Sequence, residues 1–170
     1  MDPLLAVLRV VHIVGAIFWA GGVLFVIHFL EPAVRDSGPD GAKVVQALQR
    51  RRSADVMLVV ALLTLVSGFS LYFRSFGRVH PGPGASAPAI WLGVGGLLAL
   101  VAFVIELIVT RPSAARAAAL EADLAQAPAG RREALAADVA RLHRRMRLAG
   151  RAVVGLLTLT MLCMAVGRYT

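Results

Sequence analysis

The sequence of 170 residues has a single cysteine, Cys163, and lacks the familiar motifs of soluble enzymes. One cysteine excludes an internal disulfide and any metal or cluster site with several cysteine ligands. The chain also contains no glycine-rich phosphate loop, no nucleophile elbow and no His-Glu-x-x-His motif. We therefore do not expect the chemistry of a soluble enzyme.

Hydrophobic side chains take the place of these missing features. They make up 58% of the residues, and the mean hydropathy is +0.75. Typical soluble domains have an apolar content of about 45–50%, with glycine included. This composition predicts one membrane domain over residues 1–170 with an all-α fold.

Four apolar stretches predict a bundle of four transmembrane helices. A hydrocarbon core of about 30 Å needs about 20 apolar residues in a helix, and Val10 to Leu30 supply 21 without a formal charge. The last stretch has 16 uncharged residues between Arg151 and Arg168, so both arginines must snorkel. The predicted helices cover residues 4–30, 56–73, 89–110 and 152–167.

The most polar part of the chain, residues 111–150, predicts a cytoplasmic helical hairpin. Arg111 and Pro112 are expected to end the third transmembrane helix. Two amphipathic helices follow, at 113–126 and 131–147, with a break at 127–130. A turn-rich external loop carrying His80 is expected between the second and third helices, where three prolines occur.

The distribution of basic residues predicts the orientation in the membrane. Of 18 lysines and arginines, only Arg9, Arg74, Arg78 and Arg168 lie on the side of the termini, and 14 lie in the two other loops. Positive charge favours the cytoplasmic side, so both termini are expected in the periplasm. The net charge of +8 then reflects contact with the lipid bilayer, and nucleic acid is not an expected partner.

Two histidines lie within the first apolar stretch. A helical period puts five residues close to the His12 face, namely Gly15, Ala16, Trp19, Gly22 and Val23. Polar residues in spans turn to the bundle interior, so His12 is either a ligand or a hydrogen-bond donor between helices. His28 lies 16 residues later, about 24 Å and about 160° away, which predicts an interfacial position.

The first helix carries a pattern of histidine, six residues, tryptophan, one residue and glycine, formed by His12, Trp19 and Gly21. This pattern resembles the first helix of bacterial membrane proteins of the copper resistance D type and of HemJ-type protoporphyrinogen oxidases. Residues 50–52 leading into 62–68 are also similar to the second helix of the oxidases. Over about 70 residues, the resemblance implies an inner-membrane four-helix bundle and haem b held by His12.

The third helix departs from the pattern of these oxidases. After Trp91 the oxidases have a histidine and a lysine, whereas this chain has Gly93 and Gly96 within a glycine-rich run. The glycines leave volume opposite the His12 face, where a macrocycle could pack beside Trp19. Haem iron accepts a second axial histidine or methionine, and the candidates at comparable depth are Met161, Met164 and His80.

Three functions remain open on the sequence alone. The first is a b-type haem protein with a membrane redox partner, acting in electron transfer or as an oxidoreductase of the haem pathway. The second is a copper or transition-metal protein, and the third is an accessory subunit of a larger complex. The metal could bind outside at His12 and His80, or inside at His28, Glu31, Glu106 and His143.

Two further expectations concern contacts within and between chains. Glu106 lies one turn before Arg111 and is expected to pair with a cation or a helix terminus. Small residues at helical spacing would allow a homodimer; the two pairs are Ala16 with Ala20 and Gly95 with Ala99.

Overall fold

The computed structural model describes residues 2–77 and 86–170, and all regular structure within these ranges is helical. The fold is all-α, as predicted. Two π-helical turns, Val26–Leu30 and Glu106–Thr110, interrupt the α-helices. The seven α-helices are α1 (Pro3–Phe25), α2 (Glu31–Asp36), α3 (Pro39–Arg50), α4 (Ser53–Phe76), α5 (Ala87–Ile105), α6 (Arg111–Gln126) and α7 (Ala129–Val166).

Four of the helical segments are long and apolar enough to cross a membrane, which confirms the predicted number. These segments are Pro3–Asp36, Ser53–Phe76, Ala87–Gln126 and Ala129–Val166. Helix α1 packs mainly on α4, and α5 packs mainly on α7. Contacts of α4 with α5 and of α1 with α7 join the two pairs into one bundle.

The third long helical segment continues beyond residue 110, where the sequence predicts the end of the third transmembrane helix. Proline has no N–H, and its ring clashes with the carbonyl four residues earlier in an α-helix. The N–H of Arg111 instead bonds to the carbonyl of Glu106, five residues earlier, so the wider π turn makes room before Pro112. The first helix passes Pro32 in the same way, with the N–H of Glu31 bonded to Val26.

The fourth helix is also longer than expected. Residues 131–147 and 152–167 form two predicted helices, but α7 runs through both as one helix of 38 residues. The helix continues through Gly150, which packs closely on the first helical segment: a Cβ there would lie 2.6 Å from Cδ1 of Ile27. The chain does turn at Ala127 and Pro128, and α6 packs back on α7.

The buried core lies midway along the bundle, and half of its residues are alanines. Alanines on α1, α4 and α5 let the helices approach closely, while Trp19 is the largest fully buried side chain. The core consists of Trp19, Ala20, Ala61, Leu65, Ala99, Ala102, Val153 and Leu157. At one end of the bundle, Arg111 pairs with Asp55 and ties α6 to α4.

Candidate functional site

A cavity of about 1020 Å³ opens between the four long helices above this core. It extends from Trp19 and Leu157 towards the end of the bundle that carries both chain termini. Its lining is mainly apolar, and its size is at the upper end of typical ligand pockets. Ile17 and Ile90 line the cavity and are 69% and 53% exposed, so it communicates with the outer surface of the bundle.

All six residues that the sequence suggests for a cofactor line this one cavity. They come from three helices: His12 and Trp19 from α1, Gly93 and Gly96 from α5, and Met161 and Met164 from α7. Helix α4 supplies a wall of the cavity that was not predicted from the sequence. It is formed by Thr64, Gly68, Phe69 and Tyr72. The signal for this wall was the Thr-Leu-x-x-Gly run that ends at Gly68.

A hydrogen bond to α4 orients the ring of His12. Nδ1 of His12 lies 2.9 Å from the carbonyl oxygen of Thr64, and a carbonyl can only accept. Nδ1 therefore carries a proton and donates between helices, and Nε2 is the ring nitrogen that this bond leaves free. Metal-ligating histidines show this same arrangement, in which the second nitrogen donates to a carbonyl or carboxylate.

Gly68 fixes the position of the same ring. A Cβ at residue 68 would lie 2.6 Å from Cε1 and 2.9 Å from Nδ1 of His12, so the imidazole rests on bare backbone. The polar groups beside it are satisfied within α4, because the hydroxyl of Thr64 donates to Val60 at 2.8 Å and that of Ser67 to Leu63 at 2.6 Å. His12 is thus held by two residues on one face of α4, Thr64 and Gly68.

The glycines of α5 have separate roles. Gly93 lies beside the hydroxyl of Tyr72, which donates to the carbonyl of Ala89 at 3.2 Å. Gly95 faces α7, where Thr160 donates to its carbonyl at 3.2 Å. Gly93 and Gly96 line the cavity, whereas Gly95 serves close packing between α5 and α7.

Trp19 and Glu106 form the polar contact at the base of the site. The indole N–H donates to Oε2 of Glu106 at 3.3 Å, and the indole packs edge-on against Phe103. The structure therefore corrects the expectation that Glu106 pairs with a cation or helix end. Arg111 bonds to Asp55 instead, because these two residues meet where α4 and α6 begin.

We expect Glu106→Leu to destabilise the fold by about 1–3 kcal/mol, because the buried indole N–H of Trp19 would lose its acceptor. Glu106→Gln is the matched control, since its amide oxygen can still accept this bond. The double variant Glu106→Leu/Trp19→Phe should lose less stability than the sum of the losses in the two single variants. The unfolding free energies of the unchanged protein, Glu106→Leu, Trp19→Phe and the double variant, measured in detergent, test this coupling. Strict additivity of the two single losses would exclude it.

The metal site expected from His28, Glu31, Glu106 and His143 is not assembled. His28 is exposed and its Nδ1 donates to Leu24 of its own helix at 3.1 Å, while His143 lies 3.2 Å from Glu121. Within residues 2–77 and 86–170, no three histidine, cysteine or acidic side chains form a group that could hold a metal ion. His80, the partner suggested for His12, lies outside the described residues.

The cavity thus offers one imidazole nitrogen, two thioethers and an arginine, Arg9, in a mainly apolar lining. Such a site can ligate a metal carried by a large apolar molecule and can pair with acidic groups at its edge. No family model, curated protein or solved structure matches this chain. Its function is therefore inferred from the residues and geometry of this site.

Proposed function

We propose that the protein is an integral protein of the bacterial inner membrane that binds haem b through Nε2 of His12. One observation carries this proposal: Nδ1 of His12 donates to the carbonyl of Thr64, which leaves Nε2 as the ring nitrogen that could ligate iron in a residue that lines a large apolar cavity. A neutral imidazole held by its other nitrogen is the form in which histidine ligates iron.

The remaining lining fits a tetrapyrrole. Gly93 and Gly96 line the cavity, and the aromatic rings of Tyr72 and Phe69 lie beside them, so a flat macrocycle would pack against these rings. Met161 and Met164 line the same cavity from α7, and a thioether is a known second axial ligand of haem. Arg9, one turn before His12, also lines it and can form charge-assisted bonds with propionate carboxylates.

Each residue then has a defined task in the haem site. When bound, haem would supply one-electron redox chemistry at its iron. His12 would hold the iron and tune its potential, with Thr64 maintaining the basicity of the imidazole. Trp19 would close the base of the cavity and limit the entry of water. We propose a redox role on this basis, in electron transfer or in oxidation of a haem precursor, as the first-helix resemblance also suggests.

A site for a bare copper ion has less support. Copper needs several nitrogen or sulfur ligands arranged around one point, and His12, Met161 and Met164 are the side chains of this kind in the described lining of the cavity. A cavity of about 1020 Å³ is much larger than an ion requires. The size of the cavity favours a large apolar cofactor over a metal ion alone.

The purified protein, expressed with ample haem, tests the proposal directly. We expect about one haem per chain and a Soret band that sharpens and shifts on reduction with dithionite. Extraction with acidified acetone should release the haem, because histidine and methionine ligation is non-covalent. A colourless protein under these conditions would refute haem binding and favour an accessory role.

The membrane orientation forms part of the proposal. The ion pair of Arg111 with Asp55 joins the two basic connecting segments at one end of the bundle, and this end would face the cytoplasm. A reporter inserted at Gly130 should therefore be cytoplasmic, and one fused after Thr170 should be periplasmic. Gly130 lies in the first turn of α7, and a Cβ there would meet no atom within 4 Å. The opposite pattern would reverse every assignment of sides.

A further inference from the structure

A second, smaller pocket lies between the end of the first helical segment and α7, away from the haem cavity. Its volume of about 80 Å³ equals that of two or three water molecules in the liquid, enough for a phosphate group. Six residues line it: Ile27, Glu31, Pro32, Arg35, Arg147 and Arg151. Three of the six are arginines, which favours an anionic ligand.

The charges of this pocket are only partly compensated. Arg147 and Arg151 lie one turn apart on α7, so both side chains leave the same face of that helix. Within residues 2–77 and 86–170, neither arginine has an acidic partner within 4 Å, and Arg35 approaches only Asp36, at 3.8 Å. With Glu31 ionised, the lining keeps a formal charge of +2.

The pocket lies where both helices change from apolar to polar sequence. Arg151 directly precedes the apolar residues 152–167, and Ile27 belongs to the apolar stretch of the first helix. Close packing of Gly150 on Ile27 brings the two helices together beside it. Leu148, between the two arginines of α7, is 56% exposed, so an apolar surface adjoins the charged one.

We propose that this pocket binds the phosphate of an anionic phospholipid, with a diphosphatidyl headgroup such as that of cardiolipin as the best match. Two phosphate charges balance the formal +2 of the lining, and acyl chains could extend along exposed residues such as Leu148. Basic pockets between helices on the cytoplasmic side commonly bind such headgroups. The inference depends on the membrane orientation proposed above and is independent of haem binding.

Native mass spectrometry of the detergent-solubilised protein with added cardiolipin tests this site. The double variant Arg147→Gln/Arg151→Gln should bind cardiolipin about 30-fold more weakly, since each arginine near a headgroup contributes about fivefold. The matched control is Arg144→Gln/Arg145→Gln, which removes the same charge from exposed positions on α7 outside the pocket. This control should keep the affinity of the unchanged protein.

A third variant keeps the test decisive if the arginine variant does not fold. Glu31→Gln removes the negative charge from the lining and should tighten cardiolipin binding. Two results would overturn the proposal in favour of unspecific attraction. One is an equal loss of cardiolipin affinity in both double variants, and the other is binding of phosphatidylcholine as strong as that of cardiolipin. Inorganic phosphate that displaces cardiolipin at equal concentration would overturn the lipid assignment and identify a site for free phosphate.

Discussion

Replacing His12 with alanine is expected to remove haem from the purified protein and to lower its Soret absorbance more than about tenfold. Loss of a group that merely orients a metal ligand already costs about 10- to 100-fold in affinity, and His12 would be the ligand itself. The only imidazole nitrogen that the described lining offers would be gone. An absorbance spectrum and a pyridine haemochromogen assay measure the result.

His28→Ala is the matched control for this change. His28 lies about 24 Å along the helix from His12, is exposed, and bonds to the carbonyl of Leu24 in its own helix. Its loss should leave the spectrum unaltered. If Met161 or Met164 is the second ligand of the iron, replacing that residue with alanine should change the potential or the spin state. Replacing the other methionine should not. An unaltered spectrum in His12→Ala would refute the haem assignment.

Gly68→Ala is expected to have the second largest effect. The added Cβ would lie 2.6 Å from Cε1 of His12, so the ring must move and its bond to Thr64 must lengthen or break. Overpacking of this kind costs about 1–3 kcal/mol of stability, and the displaced ligand should also bind haem more weakly. Unfolding in detergent and haem titration measure the two effects.

Gly155→Ala provides the control for Gly68→Ala. A Cβ at Gly155 would meet no atom within 4 Å, so this change should be neutral or stabilise α7 by up to about 1 kcal/mol. In a His12→Ala background the clash at Gly68 is absent, and Gly68→Ala should then cost little. If Gly68→Ala destabilises both backgrounds equally, the close contact with His12 is not its cause.

The number of long helices was predictable because it depends on composition. Runs of apolar residues long enough for a span are visible in the sequence without any knowledge of packing. The limits of the helices were less predictable, because Pro112 normally stops an α-helix. A π turn at Glu106–Thr110 accommodates it, and such turns depend on the surrounding packing rather than on one residue type.

Part of the candidate site was also predictable from patterns within the sequence. Helical periodicity and depth were enough to bring His12, Trp19, Met161 and Met164 to one cavity. Their partners depend on how the helices rotate against each other, which a single sequence does not encode in local patterns. The carbonyl of Thr64, 52 residues from His12, and the carboxylate of Glu106, 87 residues from Trp19, were therefore not foreseen as partners.

The π turn at Glu106–Thr110 also fixes the angular register of everything that follows it. A π turn contains one residue more than the α-helical turn it replaces, so it rotates the next segment by about 100°. Arg111, the first residue after this turn, pairs with Asp55 of α4. Shortening this turn by one residue would turn α6 away from α4, so the length of the turn, more than its composition, sets the direction of the basic hairpin.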